Sequence, residues 1–197
     1  MSDDTINNAM GGGVTGNDVP GDNAAGPDAK HVWWGVMGPD EGVSLWQPEP
    51  SSGYVQMKFE PDNCPYDGFS SGIQVLPPGR SVREHGHEVN HELLFIYEGT
   101  GICEIETDTF EIGPGSTVLF GRHARHLLEN TGDVDMKIFW VFLPPGLENW
   151  FRAIGRPRTP GEPMPDLFSR PDNVADVMKA QRFVAPRPQR NLKRPRT

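Results

Sequence analysis

Gly79-Arg80-Ser81-Val82-Arg83-Glu84-His85-Gly86-His87-Glu88-Val89-Asn90-His91-Glu92-Leu93-Leu94-Phe95-Ile96-Tyr97-Glu98-Gly99 is the stretch on which the reading of this chain turns. Side chains alternate across a strand, so His85 and His87, two residues apart, share one face and aim both imidazoles into the same space. Val89 and Asn90 leave room for a bend, after which the apolar run from Leu93 to Tyr97 begins a new strand. Glu92 stands at the start of that strand, where a carboxylate can join the two imidazoles around one ion. Glu88 is the competing carboxylate, but it precedes the bend.

Working outward, a second stretch bears His126 and Asn130 within residues 113–133. The first stretch resembles the first conserved motif of the cupin family, G-x5-H-x-H-x4-E-x6-G, at every fixed position. The second resembles the H-x3-N ending of the other cupin motif, while Phe120 to Arg125 replace the usual proline and second glycine before the histidine. The resemblance implies an all-β, jelly-roll barrel and one divalent transition metal ion held by His85, His87, Glu92 and His126. It also favours Glu92 over Glu88. Imidazole and carboxylate donors suit Fe(II), which is the favoured ion, and leave Mn, Ni, Cu or Zn open. His31, in a loop-like stretch, reads as a surface residue. His91 should face away from the ion if Glu92 faces it, and His123 falls in a turn.

Composition agrees with one modest domain and loose ends. The chain has 197 residues, 36% of them hydrophobic, with 20 Pro and 23 Gly, which fits a turn-rich β core rather than a helical bundle. Net charge is −9 and unevenly placed: residues 1–30 carry five Asp against Lys30, and residues 182–197 six Arg or Lys but no acid. Between residues 31 and 181 there are 22 acids against 11 Lys plus Arg, a balance that repels phosphate and argues against nucleic acid as a partner. Cys64 and Cys103 lack C-x-x-C spacing and define no disulfide framework. No apolar run approaches a membrane span and the first thirty residues do not read as a signal peptide, so a soluble cytoplasmic protein without a membrane partner is expected.

In chain order, residues 1–30 are rich in Gly, Asn and Asp and are expected to be disordered. Residues 31–50 carry Trp33, Trp34 and Trp46 and read as an aromatic arm, packed either on its own barrel or on the second subunit of a homodimer. The barrel itself is expected over 51–145, with strands near 53–59, 72–76, 82–87, 93–97, 101–106, 110–112, 117–120, 126–129 and 136–143. Leu147, Trp150, Phe151 and Ile154 recur at helical spacing, and a second short helix is expected near 172–182. Together they make a helical extension over 146–183, followed by a basic, Pro-rich, solvated tail over 184–197.

Three readings of function separate by what the metal does. In the first the protein is an O2-dependent dioxygenase acting on a small organic substrate. In the second the ion is a Lewis acid for a lyase, isomerase or cyclase reaction. In the third the chain binds a small ligand or metal without turnover. Arg83 shares strand parity with the two histidines and is a candidate for a substrate carboxylate or enolate, against an ordinary ion pair at the rim. Leu94 and Ile96 share parity with Glu92 and are candidates for an apolar substrate floor. No second carboxylate or lysine stands in an evident acid or base position, so no catalytic residue is assigned and metal-borne chemistry is favoured, with the dioxygenase first.

Overall fold

The structure is a computed structural model and describes residues 33–187. The tail expected over 1–30, His31 and most of the basic tail lie outside the described residues. Within them the chain forms β1 (Val43–Trp46), β2 (Tyr54–Met57), β3 (Ser70–Leu76), β4 (Ser81–His87), β5 (His91–Glu98), β6 (Gly101–Ile105), β7 (Asp108–Ile112), β8 (Thr117–Phe120), β9 (His126–Asn130) and β10 (Met136–Leu143). There follow α1 (Glu148–Ile154), β11 (Arg156–Pro157), α2 (Val174–Ala180) and β12 (Phe183–Val184). No helix among the described residues is long and apolar enough to cross a membrane.

The strands assemble into two antiparallel sheets, one in the order β11-β1-β2-β3-β10-β5-β8 and the other β12-β4-β9-β6-β7. This is a jelly-roll barrel, and alternation in β10 shows why its core lies between the sheets. Met136, Ile138, Trp140 and Phe142 are buried, while Phe139 and Leu143 on the other face are exposed. From β5, Leu94 and Ile96 enter the same core. Burial of such side chains contributes about 1.5–3 kcal/mol each, so a one-residue slip that turned them outward would be costly. Gly72 in β3 lies across from Trp140. A Cβ there would collide with the indole and with the Gln56 carbonyl, so the bulkiest core residue fits because its neighbour has no side chain.

Part of the stretch 31–50 is a strand: β1 pairs with β2 from Val43↔Met57 to Trp46↔Tyr54. Its presence changes the environment of β2, around which Tyr54, Gln56 and Lys58 alternate with the apolar Val55, Met57 and Phe59 in the pattern of a strand with one apolar face. Gln56 and Lys58 are buried, along with Val55 and Met57. Lys58 Nζ is satisfied by the carbonyls of Gly38, Pro39 and Glu41 at 2.7, 3.0 and 2.7 Å, which fastens the preceding turn over the strand.

The segment after the barrel is tied back to both sheets. Leu147, Trp150, Phe151 and Ile154 of the α1 region are buried at the barrel's open side. Glu148 stabilises the start of this helix by accepting hydrogen bonds from the Gly146 amide at 2.7 Å and the Ser70 hydroxyl at 2.6 Å. The Pro-rich run 155–171 is anchored: the Trp46 indole N–H donates to Glu162 at 2.6 Å, and the Glu49 amide to the Phe168 carbonyl at 2.9 Å. Finally β12 pairs with β4, Phe183 opposite His87.

Candidate metal centre

Three strands bring the candidate ligands together. His85 and His87 come from β4, Glu92 is the second residue of β5, and His126 opens β9 directly across from His85. One donor atom from each of the four lies within 4.8 Å of all the others. Nε2 of His87 is 3.0 Å and Nε2 of His126 is 3.2 Å from the same oxygen, Oε2 of Glu92. Donors bound at about 2.0–2.2 Å to one ion stand roughly 3 Å apart when adjacent, so this spacing fits a shared ion.

The ring orientations agree. Nδ1 of His85 faces the Arg83 carbonyl at 2.8 Å and Nδ1 of His126 faces the Ala124 carbonyl at 3.0 Å. A carbonyl only accepts, so each Nδ1 carries a proton and each Nε2 is the atom left to face an ion. The His126 ring is further fixed by stacking on Phe120, centroids 3.7 Å apart and planes 6° from parallel. Its Nε2 is buried and, despite the short distance to Glu92, lacks hydrogen-bond geometry, an unmet position that an ion would satisfy. The cluster can therefore hold one divalent ion.

Burial, and after it the neighbouring His126 and His87, keep the His85 imidazole well below its ordinary value, hence neutral and able to ligate. Burial works to raise the Glu92 carboxyl, but the two imidazoles beside it outweigh that and hold it below the usual carboxylate range. Both shifts act on stability in the same direction. As pH falls below about 6.5 the unfolded chain takes up the His85 proton before the folded one. The Glu92 contribution is present above the unfolded value near about 4.3 and is lost as pH falls through the lower folded value. Metal-stripped protein is therefore expected to melt at falling temperature between about pH 7 and about pH 4, and His85→Asn to flatten the upper part of that slope. A pH-independent melting curve for the unsubstituted protein would show that His85 takes up its proton as readily in the folded state as in the unfolded one.

The cluster opens on a cavity of about 580 Å³, bounded by Arg83, Phe142, Trp150, Phe151, Arg170 and Phe183 among others. Arg83 stands at the exposed rim. Leu94 and Ile96, expected as an apolar substrate floor, do not line it: parity turned them inward as predicted, but one and two steps beyond Glu92 the strand has passed into the core. Their place in the wall is taken by residues from 147–183. The helical spacing of Trp150 and Phe151 signalled a buried face, though not which surface it would cover, and nothing in the sequence marked Arg170 or Phe183. His91 is exposed on the far side of β5, and His123 sits in the turn with φ of 65°, its amide bonded to the His87 carbonyl at 2.7 Å. Glu88 is engaged by Arg182 at 3.1 Å. Asn130 is structural, its amide nitrogen donating to the carbonyls of Leu76 and Val134 at 2.7 and 2.8 Å. Both cysteines are free, and burial followed by the charges of Glu92 and Glu104 pushes the Cys103 thiol up to about 12.

A family model described as a cupin domain matches residues 72–142, which contain all four clustered residues. The chain belongs to the cupin superfamily. Similar curated proteins include an uncharacterised protein of Methanocaldococcus jannaschii, 31% identical over 82 residues, covering 41% of this cupin and 66% of the relative. An L-ectoine synthase of Rhodococcus opacus is 38% identical over 81 residues, covering 40% and 58%. A 5-nitrosalicylic acid 1,2-dioxygenase of a Bradyrhizobium species is 31% identical over 74 residues, covering 38% and 35%. This cupin thus spans less than two thirds of the length of each of these relatives.

Proposed function

We propose that this cupin is a metal-dependent enzyme acting on a small organic substrate, and that its reaction is an O2-dependent dioxygenation. The observation that carries the reading is the four-residue cluster opening on a cavity that has no free proton carrier among its described residues. Glu84, the other carboxylate in the wall, is occupied by Arg187, and the remaining charged groups there are guanidinium ions, which stay protonated. A redox-active ion held by the cluster would supply the one-electron chemistry that lets O2 react with a closed-shell molecule. The chain's own part is to hold His85, His87, Glu92 and His126 in fixed orientations and to surround the substrate with apolar side chains that exclude water. Similarity to a 1,2-dioxygenase lends support.

A second reading is a cyclisation, isomerisation or elimination without redox change; the relatives of higher identity, the L-ectoine synthases, are named as synthases and not as oxygenases, which favours it. Metal-stripped protein reloaded with Fe(II) or Zn(II), and assayed with and without air on phenols, diketones, flavonoids and small organic carboxylates, separates the two. The expected result is turnover with Fe(II), O2 consumption in proportion to substrate, and no turnover with Zn(II). Anaerobic turnover with Zn(II) would establish the second reading instead. Silence with every ion across the panel would favour a binding protein.

A further inference from the structure

The cavity holds more positive charge than its own residues neutralise. Glu84 and Arg187 cancel: the Arg187 amide donates to one carboxylate oxygen at 2.8 Å and Nε to the other at 2.7 Å. Glu92 is committed to the histidines. Arg83 and Arg170, both in the wall, have no carboxylate partner among the described residues. Arg170 is the more telling of the two. It is half-buried, its guanidinium lies 5.2 Å from the centroid of the Trp150 ring, and its Nε is buried with no hydrogen-bond partner. Burial, then the like charge of Arg83, pushes it down to about 10, where it still keeps its proton at neutral pH. A desolvated cation beside a second cation is costly unless an anion meets them both.

We propose that Arg170, with Arg83 at the rim, receives the anionic group of the substrate, which is a small organic carboxylate with an apolar body. The proposal rests on the cavity being the reaction site and names the class of molecule it accepts. The indole beneath Arg170 orients the planar guanidinium for a bidentate pair with a carboxylate. Phe142, Trp150, Phe151, Met178 and Phe183 offer the rest of the molecule an apolar and largely aromatic enclosure. Arg170 lies beyond the 72–142 match, so this contact belongs to the C-terminal segment and not to the cupin motifs.

Calorimetric titration of the full-length protein with benzoate, its neutral isostere benzamide and inorganic phosphate tests this, with bound metal measured in each sample. Benzoate is expected to bind at least about tenfold more tightly than either of the others, as charge-assisted hydrogen bonds imply. Arg170→Met should remove about tenfold or more of that affinity without changing the weak binding of benzamide or the metal content, and Arg170→Lys should restore part of it. Repeating the titration on metal-stripped protein should preserve the ratio between unsubstituted protein and variant, which excludes attachment of the carboxylate to the ion. Should Arg170→Met misfold, Arg83→Gln at the exposed rim provides the same comparison. Equal affinity for benzoate and benzamide, undiminished benzoate binding in the folded variants, tighter binding of phosphate, or no saturable binding by folded protein would each overturn the proposal. Failure of the metal-reload assay would instead overturn the enzymatic reading and leave these titrations as they stand.

Discussion

Replacing His87 by alanine is expected to cost the protein its bound metal. The ring is 3% exposed, so no bulk solvent ligand can readily take its position, and its Nε2 is one of four donors gathered within 4.8 Å. Loss even of a group that only orients a ligand typically costs about 10–100-fold in metal affinity, so loss of the ligand itself should reach about a hundredfold or more. Glu92→Gln preserves the shape and removes the charge, and should weaken binding less. His91→Ala is the control: it is the immediate neighbour of Glu92 in sequence, yet its side chain is on the opposite, exposed face. Metal per chain after dialysis against a buffered chelator measures all three. Equal losses from the His87 and His91 variants would mean that β5 enters the barrel in the other register.

The largest effect on stability is expected from Trp140→Ala. This side chain is at the middle of β10, which pairs with β3 on one side and β5 on the other, and it is 1% exposed. It stacks on Phe142 at 4.5 Å and meets Phe151 of α1 at 5.5 Å, connecting the barrel core to the helix. Truncating a buried aromatic of this size costs about 3–5 kcal/mol, since the transfer free energy is lost and a void remains. For a chain of this length that lowers the melting temperature by roughly 10 °C. Phe139→Ala, one residue away on the exposed face, should cost much less. A comparable loss from both would place the core on the wrong side of the sheet.

The barrel strands and the pairing of His85 with His87 were legible because each depends on local spacing, while Glu92 and His126 were legible through the resemblance to the cupin motifs. His85 and His87 share a face by the geometry of any strand, and the apolar runs between Gly and Pro turns mark β5, β8 and β10. What the sequence hid depends on contacts between distant segments. The Val43–Trp46 strand reads as an aromatic arm until Tyr54–Met57 is seen beside it. Lys58 reads as solvent-facing, because nothing local announces the three carbonyls that receive it. Leu94 and Ile96 were given the right direction and the wrong depth, since parity fixes which face a residue takes but not where along the barrel axis a cavity ends. Arg170 and Phe183 gave no signal, because a two-residue strand and an irregular Pro-rich run have no periodicity to read.

The pairing of β12 with β4 lays the C-terminal segment beside the strand that carries two of the clustered histidines. The four candidate ligands lie between residues 85 and 126, whereas much of the enclosure around the substrate space comes from residues 147–187. In the enzyme proposed above, reactivity and selectivity would thus be written on separate lengths of the same polypeptide, joined by a narrow seam. A chimaera that exchanges only the trailing length would keep the ion's cradle intact while reshaping what is admitted to it, which makes this boundary a natural place to redirect the protein toward new substrates.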